Sequence, residues 1–194
     1  MRVPIETSAR HVHLSREDFE ILFGKGKELT VKTPLSQPGQ YACEERVTLV
    51  GPKGTFEKVS VLGPFRRGTQ VEISMSDARK LGVDAVIRQS GDTGNTPGCT
   101  IVGPEGKKEI PHGVIVAKRH IHMTPEDAQE LGVEDGEIVS VQAGSQERSL
   151  IFSDVVVRIS PDYSLAMHVD TDEANAFAGG KGSVGMIRKM VEME

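Results

Sequence analysis

Residues 118–131 read KRHIHMTPEDAQEL, and they repeat an earlier stretch of the same chain, ARHVHLSREDFEIL at residues 9–22. The two stretches align without a gap, and Arg, both His, Glu and Asp fall in register. In both, a strand-like His-x-His segment leads into a short helical pattern, so one supersecondary unit occurs twice. The repeat therefore predicts two similar domains, with the changeover near residues 113–118.

A second pair of segments extends the repeat. QVEISMSDARK at residues 70–80 aligns with AMHVDTDEANA at residues 166–176, which places Glu72 opposite His168. Each half then has the same order: His-x-His strand, short helix, several strands, a strand carrying Glu or His, and another short helix. The segment LTVKTPLSQPGQYACEE (29–45) has no counterpart in the second half. Its Pro, Gly and Gln content predicts an inserted loop or lid.

The remaining sequence is dominated by short β-type runs bounded by turns. GPKG at residues 51–54 and GPEG at residues 103–106 are typical of hairpin turns. Helices are expected to be few and short, with Ser15 and Thr124 as N-caps and Gly24 and Gly132 as stops. Many short strands with regular turns favour a mainly β fold of barrels or sandwiches.

Composition narrows the classes of function. The net charge is −5 and aromatic residues make up 4% of the 194 residues, which argues against a nucleic-acid surface of basic patches and stacking rings. A chain of this length builds a core without a metal, so a metal site is expected to be catalytic rather than structural. Two cysteines and the lack of a long apolar run indicate an intracellular, soluble protein with free thiols.

The histidine pairs are the strongest chemical signal. Residues i and i+2 of a strand point to the same face, roughly 7 Å apart, so two imidazoles so placed can converge on one metal ion. The repeat supplies a third ligand for each pair, Glu72 in one half and His168 in the other. The predicted metal ligands are therefore two sets: His11, His13 and Glu72, and His120, His122 and His168. Compositions of His₂Glu and His₃ are known in catalytic zinc sites.

A histidine ladder on a polar strand face is the alternative to a metal site. Five of the six histidines fall at aligned positions, however, and only His112, which we assign to a surface turn, does not. This repetition favours two metal sites. If the halves pack about a pseudo-twofold axis, the two sites face one another in a single cleft, which suits a nucleophile and a leaving group that are both negative.

Basic residues near the predicted ligands indicate an anionic substrate. Arg66 and Arg67 precede Glu72 by a few residues, and a planar guanidinium matches the geometry of phosphate. We favour a solvated turn position for Arg67. Arg10 and Arg119 precede the histidine pairs, where they are either outer partners of the ligands or exposed strand residues.

Five motifs in order, SARHVHLS (8–15), LSQPGQYA (35–42), VLGPFRRGTQVEIS (61–74), KRHIHM (118–123) and MHVDTDEAN (167–175), resemble the phosphate propanoyltransferase family. These are the zinc-dependent phosphotransacylases of propanediol utilisation, which are unrelated to the classical phosphotransacetylases. The resemblance covers nearly the whole chain.

The resemblance implies a mainly β fold of two similar β-barrel domains capped by short α-helices. Residues 10–117 would form one barrel, with a small two-stranded lid insert at about residues 25–44. Residues 1–9 together with 118–194 would form the second barrel, so that the domains are interlaced rather than consecutive. The resemblance also implies two zinc ions in one interdomain site and a homodimer.

The activity that the resemblance implies is reversible transfer of a short acyl group, propanoyl or acetyl, between CoA and inorganic phosphate. Arg66 matches the catalytic arginine of the family, and the two predicted ligand sets match its zinc ligands. The positions that match contacts to CoA are Ser8, Lys32, Leu62, His168 and Asn175, with Lys32 chosen as the basic residue of the lid.

Direct attack of phosphate on the thioester is favoured over an acyl-enzyme on Cys43 or Cys99. Two other classes stay open: a di-zinc thioester or phosphoester hydrolase, and a non-catalytic β-barrel binding protein. Hydrolases of that kind usually add Asp-rich bridging ligands, which these motifs lack. The first motif begins at Ser8, which leaves no room for a microcompartment-targeting extension, so we expect a free cytoplasmic enzyme.

Overall fold

The computed structural model describes residues 1–189, and within them the predicted mainly β fold is confirmed. The strands in this part of the chain are β1 (Arg2–Thr7), β2 (His11–His13), β3 (Val31–Pro34), β4 (Tyr41–Val50), β5 (Thr55–Gly63), β6 (Gln70–Glu72), β7 (Ile87–Arg88), β8 (Cys99–Val102), β9 (Lys107–Ile110), β10 (Val114–Ala117), β11 (His120–Met123), β12 (Ile138–Gly144), β13 (Ser149–Ile159), β14 (Ala166–Val169) and β15 (Val184–Lys189).

The helices of the described chain are α1 (Arg16–Phe23), α2 (Met75–Leu81), α3 (Pro125–Leu131) and α4 (Thr171–Ala176). Each begins after a residue whose side-chain oxygen accepts a hydrogen bond from the third helical N–H. The predicted caps Ser15 and Thr124 are confirmed, because a hydroxyl there satisfies one of the unpaired amides of the first turn. None of these helices has the length and hydropathy to cross a bilayer.

The chain divides into two compact units. One contains residues 9–35 and 39–117, and we call it the His-Glu unit after its candidate ligands. The other contains residues 1–8, residues 36–38 and the described chain from 118 to 189, and we call it the three-His unit.

The three-His unit is a closed barrel with the strand order β1-β14-β11-β13-β12-β15, in which β15 pairs again with β1. Closure leaves no unpaired strand edge in this sheet. Strand β12 alternates between buried and less buried residues, and its inward side chains Val139, Val141 and Ala143 join the core of this unit.

The His-Glu unit is a curled open sheet with the order β7-β10-β6-β2-β5-β4-β8-β9, and β3 pairs with β4 outside this path. Five neighbouring strands of this sheet, β10-β6-β2-β5-β4, correspond one by one to β1-β14-β11-β13-β12 of the barrel. In both sheets the first two of these strands, β10 with β6 and β1 with β14, are parallel. The strand preceding each histidine pair, β1 or β10, therefore belongs to the sheet of the opposite repeat. The antiparallel pairing of β3 with β4 confirms the predicted two-stranded insert.

The two predicted hairpin turns also contact the C-terminal ends of the two helices of the His-Glu unit. In GPKG the amide of Lys53 donates to the carbonyl of Leu81 at the end of α2, over 3.1 Å. In GPEG the amide of Glu105 donates to the carbonyl of Leu22 near the end of α1, over 3.0 Å. A Cβ on Gly51 or Gly103 would collide with those same carbonyl oxygens, so the close approach requires glycine.

A buried acid links α1 to the sheet. The carboxylate of Asp18 accepts from the Thr69 hydroxyl at 2.6 Å and lies 2.9 Å from the Lys108 ammonium. Burial alone would raise the pKa of Asp18, but the Thr69 hydrogen bond and the Lys108 charge outweigh it and lower the pKa below its ordinary value.

We expect Asp18→Asn to lower the free energy of unfolding by about 1–2 kcal/mol at pH 7. Because the folded pKa is lowered, this contribution is present above the unfolded pKa of about 3.9 and is lost as the pH falls through the folded value. Urea unfolding at pH 7 and pH 3 measures this contribution to stability. Asp84→Asn is the control, because Asp84 is exposed. A loss of stability that is as large at pH 3 as at pH 7 would contradict this account.

Candidate metal centres

The first candidate centre lies where β2 runs antiparallel to β6. In this pair His11 is directly opposite Glu72, and His13 is opposite Gln70. His11 and His13 share one face of β2, and side chains directly opposite on neighbouring strands have Cβ atoms about 5 Å apart. The three predicted ligands of this half are therefore brought together by register alone, and all three are buried.

The spacing of their ligand atoms fits a tetrahedral metal site. His11 Nε2 is 3.2 Å from His13 Nε2, Glu72 Oε2 is 3.6 Å from His11 Nε2, and Glu72 Oε1 is 3.7 Å from His13 Nε2. Atoms bound at 2.0–2.2 Å around a tetrahedral zinc ion lie about 3.3–3.6 Å apart. The group is therefore able to hold a metal ion.

The electrostatics of this centre also suit a cation. Burial raises the pKa of Glu72, but the neighbouring imidazoles of His11 and His13 outweigh it and hold the pKa well below its usual range. Burial and the nearby His11 lower the pKa of His13 to about 3. Burial lowers the pKa of His11 as well, but the carboxylate of Glu72 outweighs it and raises the pKa. A metal ion at this centre therefore competes with a proton on His11 for the carboxylate.

The second candidate centre has the same layout in the three-His unit. Strand β11 runs antiparallel to β14, and His120 is directly opposite His168. Its ligand nitrogens lie within 4.8 Å of one another. Burial lowers the pKa of His122, and the Nδ1 atom of this side chain is buried without a hydrogen-bond partner in the described chain. The lowered pKa keeps the imidazole of His122 neutral, which is the form that binds a metal ion.

Equivalent backbone contacts orient the first histidine of each pair. His11 Nδ1 donates to the carbonyl of Ala9 and His120 Nδ1 to that of Lys118, each over 2.9 Å. This leaves Nε2 as the atom that can bind a cation in both centres. The centres differ by one charge, because the first contains a carboxylate and the second contains imidazoles only.

Arg10, which is exposed, and Arg119 join the ligand strands to helices through acids that are not candidate ligands. Arg10 makes a two-pronged hydrogen bond with Asp77 at 3.0 and 2.8 Å, and Arg119 lies 3.0 Å from Glu173. The two acids occupy the same position, the third residue of α2 and of α4. Each helix follows the strand that carries the third ligand, so the ion pairs tie that strand to the histidine strand.

Arg66 lies beside the first centre, as its place before Glu72 suggests. Its amide donates to the carbonyl of Leu14, and its Nη1 donates to the Ser90 hydroxyl over 2.8 Å. Its positive charge contributes to the lowered pKa of His13. Arg67 is exposed, in agreement with a solvated turn residue, and so is His112.

Sequence reasoning missed several residues at the two centres. Ser90 and Gln70 both contact Glu72 Oε1, at 2.8 and 2.6 Å. Gln70 lies two residues before Glu72 in one strand, so period-two reasoning could have found it. Ser90 lies in the loop between β7 and β8, which has no repeat counterpart and no regular period.

Two further missed residues flank the second centre. The Tyr163 ring lies 4.2 Å from the His122 ring, and Arg158, opposite His122 in β13, contributes to the lowered pKa of His122. In the same unit the Glu6 carboxylate is 3.8 Å from His168 Nδ1 and accepts from the Ser36 hydroxyl at 2.5 Å.

The residues predicted to meet CoA are distributed over both units. Leu62 is opposite His13 in the pairing of β5 with β2. The Ser8 amide donates to the carbonyl of Val169, next to His168. Asn175 is exposed on α4, and Lys32 is exposed on β3, with its ammonium 3.8 Å from the Glu44 carboxylate.

Comparison with known proteins agrees with the resemblance noted in the motifs. A family model described as phosphate propanoyltransferase matches residues 4–179. A phosphate propanoyltransferase of Thermotoga maritima is 58% identical over 172 residues, which are 89% of this chain and 82% of that protein. One of Enterococcus faecalis is 53% identical over 185 residues, 95% of this chain and 87% of that protein. One of Salmonella typhimurium is 53% identical over 174 residues, 90% of this chain and 82% of that protein.

Proposed function

Because the chain belongs to the phosphate propanoyltransferase family, and is thus an acyltransferase, we propose that it moves a short acyl group, propanoyl or acetyl, reversibly between CoA and inorganic phosphate. The observation that best supports this proposal is that Arg66 lies beside the first centre. A His₂Glu cluster that can hold a cation and a guanidinium that matches phosphate meet in one buried sheet region.

We further propose that each centre holds one zinc ion. Three nitrogen or oxygen ligands with open remaining positions are the composition of catalytic zinc, and the ligand spacing of the first centre supports it. When bound, zinc supplies a Lewis acid that polarises the thioester carbonyl or stabilises the departing thiolate.

The protein's own residues would hold and orient the reactants. Arg66 binds the phosphate through its fork of N–H groups and offsets the charge that develops on the tetrahedral intermediate. A phosphate oxygen attacks the thioester carbonyl carbon, the carbon–sulfur bond breaks, and CoA leaves as the thiolate. The positions proposed to contact CoA are Ser8, Lys32, Leu62, His168 and Asn175.

One assay separates the proposed function from its alternatives. Zinc-loaded protein is mixed with acetyl-CoA or propanoyl-CoA, and free thiol is followed with and without phosphate. The proposal expects thiol release only with phosphate, together with formation of the acyl phosphate. Release without phosphate would identify a thioester hydrolase, and no release in either condition would favour a binding protein.

The cysteines are predicted to be dispensable. Both are buried free thiols, and burial raises the pKa of Cys43 to about 11 and that of Cys99 to about 12. Almost no thiolate exists at such pKa values near neutral pH, so neither is equipped to form an acyl-enzyme. We expect the variant with both Cys43→Ala and Cys99→Ala to keep kcat within about twofold per folded molecule. Abolished activity in a variant with unchanged melting temperature would restore the acyl-enzyme route.

The homodimer stays a prediction that rests on the family resemblance, and the cytoplasmic location stays a prediction from the sequence. Light scattering of the purified chain at several concentrations tests the dimer directly.

A further inference from the structure

The hydroxyl of Ser90 is the point at which two parts of the first centre meet. It accepts hydrogen bonds from Arg66 Nη1 at 2.8 Å and from Gln70 Nε2 at 2.9 Å, and it donates to Glu72 Oε1 at 2.8 Å. A serine hydroxyl has one hydrogen and two lone pairs, so these three contacts use its full capacity. Its orientation is therefore determined by its partners.

These contacts hold the carboxylate of Glu72 through one of its oxygens. Oε1 accepts from Ser90 and from Gln70 Nε2, at 2.8 and 2.6 Å. Oε2 is the oxygen that lies 3.6 Å from His11 Nε2. Ligating carboxylates are commonly held by hydrogen bonds of this kind, which fix the plane of the carboxylate. Oε1 also lies 3.7 Å from His13 Nε2. Ser90 and Gln70 thus hold the carboxylate between the two imidazoles, where a cation would bind.

The same hydroxyl holds the guanidinium of Arg66. An arginine side chain has many rotamers, and its use in binding an anion requires that few of them are populated. The Ser90 contact anchors one edge of the guanidinium and links it to the carboxylate of Glu72 through a single oxygen atom.

The loop that carries Ser90 is also held by contacts that do not involve this hydroxyl. The Gly91 amide donates to Gln70 Oε1 at 2.7 Å, which ties the loop to β6. Further along, the Thr96 hydroxyl donates to the Thr93 carbonyl at 2.7 Å and accepts from the Gly113 amide at 2.9 Å. The contacts of Ser90 Oγ with Arg66 and Glu72 are directed at the centre rather than at the loop.

We propose that Ser90 is a positioning residue, which couples the guanidinium of Arg66 to the carboxylate of Glu72 so that the phosphate-binding group and the metal ligand keep a fixed relative orientation. The proposal rests on the proposed function, in which Arg66 holds phosphate and Glu72 holds a cation.

The test compares Ser90→Ala with Thr96→Val. Each substitution removes one hydroxyl with little change in shape, and both positions lie in the same loop, but the Thr96 hydroxyl bonds only to backbone groups of Thr93 and Gly113. Zinc affinity is measured by competition with a chromophoric chelator, and the KM values for phosphate and for acyl-CoA are measured separately. Melting temperatures report any general loosening of the loop.

For Ser90→Ala we expect one of the two zinc-binding steps to weaken about tenfold and the KM for phosphate to rise about tenfold, with the KM for acyl-CoA unchanged. Thr96→Val should lower the melting temperature without moving either value. Unchanged zinc affinity and phosphate KM in Ser90→Ala would overturn the proposal, as would equal changes in Thr96→Val. If the unaltered protein shows no phosphate-dependent thiol release, the proposed function fails, and the zinc titration still decides whether Ser90 positions Glu72.

Discussion

Replacing His11 or His120 with alanine should leave one zinc ion per chain instead of two, and each change should lower acyl transfer by more than about 100-fold. Loss of an outer partner of a ligand already costs about 10–100-fold in metal affinity or activity, and loss of a ligand should cost more. Each centre has three candidate ligands, so the substitution leaves two, which is one fewer than catalytic zinc sites use.

The two variants test each centre separately. His11 belongs to the His-Glu unit and His120 to the three-His unit, so each substitution should leave the ligands of the other centre in place. Metal content is measured by mass spectrometry of desalted protein, alongside the thiol-release rate. His112→Ala is the matched control, since His112 is exposed on a bend between β9 and β10 and should keep both ions and full activity. Unchanged zinc content in either His11→Ala or His120→Ala would refute a metal site in that unit.

Arg66→Ala should lower kcat/KM for phosphate by about 100–1000-fold while the zinc content stays at the value of the unaltered protein. Removal of one preorganised group that stabilises developing negative charge has an effect of this size in acyl transfer. Arg66→Lys should recover only part of the loss, because an ammonium lacks the planar fork that matches phosphate. The separation of activity from metal content distinguishes this variant from the histidine variants.

Arg67→Ala is the matched control for Arg66. The two arginines are adjacent and carry the same charge, but Arg67 is exposed, whereas Arg66 bonds to Ser90 beside Glu72. We expect Arg67→Ala to change kcat/KM by less than about threefold, since a surface charge contributes through screened interactions only. Equal losses in the two variants would point to general attraction of the anion rather than to a specific role of Arg66.

The candidate ligands could be predicted from the sequence because a local spacing and an internal repeat determine their placement. The i, i+2 spacing of His11 with His13, and of His120 with His122, puts each pair on one face of a strand. The repeat then identified Glu72 and His168 as equivalent, and the structure brings each of them opposite the first histidine of its pair. The helix caps were predictable for the same reason, since a cap is a local hydrogen bond between residues three apart.

The outer contacts of the centres were not predictable in this way. Ser90 reaches Glu72 from a loop 18 residues further along the chain, and Arg10 finds Asp77 across 67 residues. Neither contact follows a period of a strand or a helix, so no local pattern reports it. The Arg66 contact to Ser90 similarly depends on how the loop after β7 folds back over β6.

The sequence by itself determined that the fold repeats, that it is built mainly of short strands, and which side chains form each candidate ligand group. Only the tertiary structure decided that one sheet closes into a barrel while the other stays open. The exchange of β1 and β10 between the two repeats was expected from the family resemblance, but no side-chain pattern indicates it. Strand pairing over such distances depends on backbone hydrogen bonds, which are the same for every residue type, and on the packing of side chains from remote segments. The i, i+2 periodicity that identified the candidate ligands carries no information about distant strand pairing or about packing between remote segments.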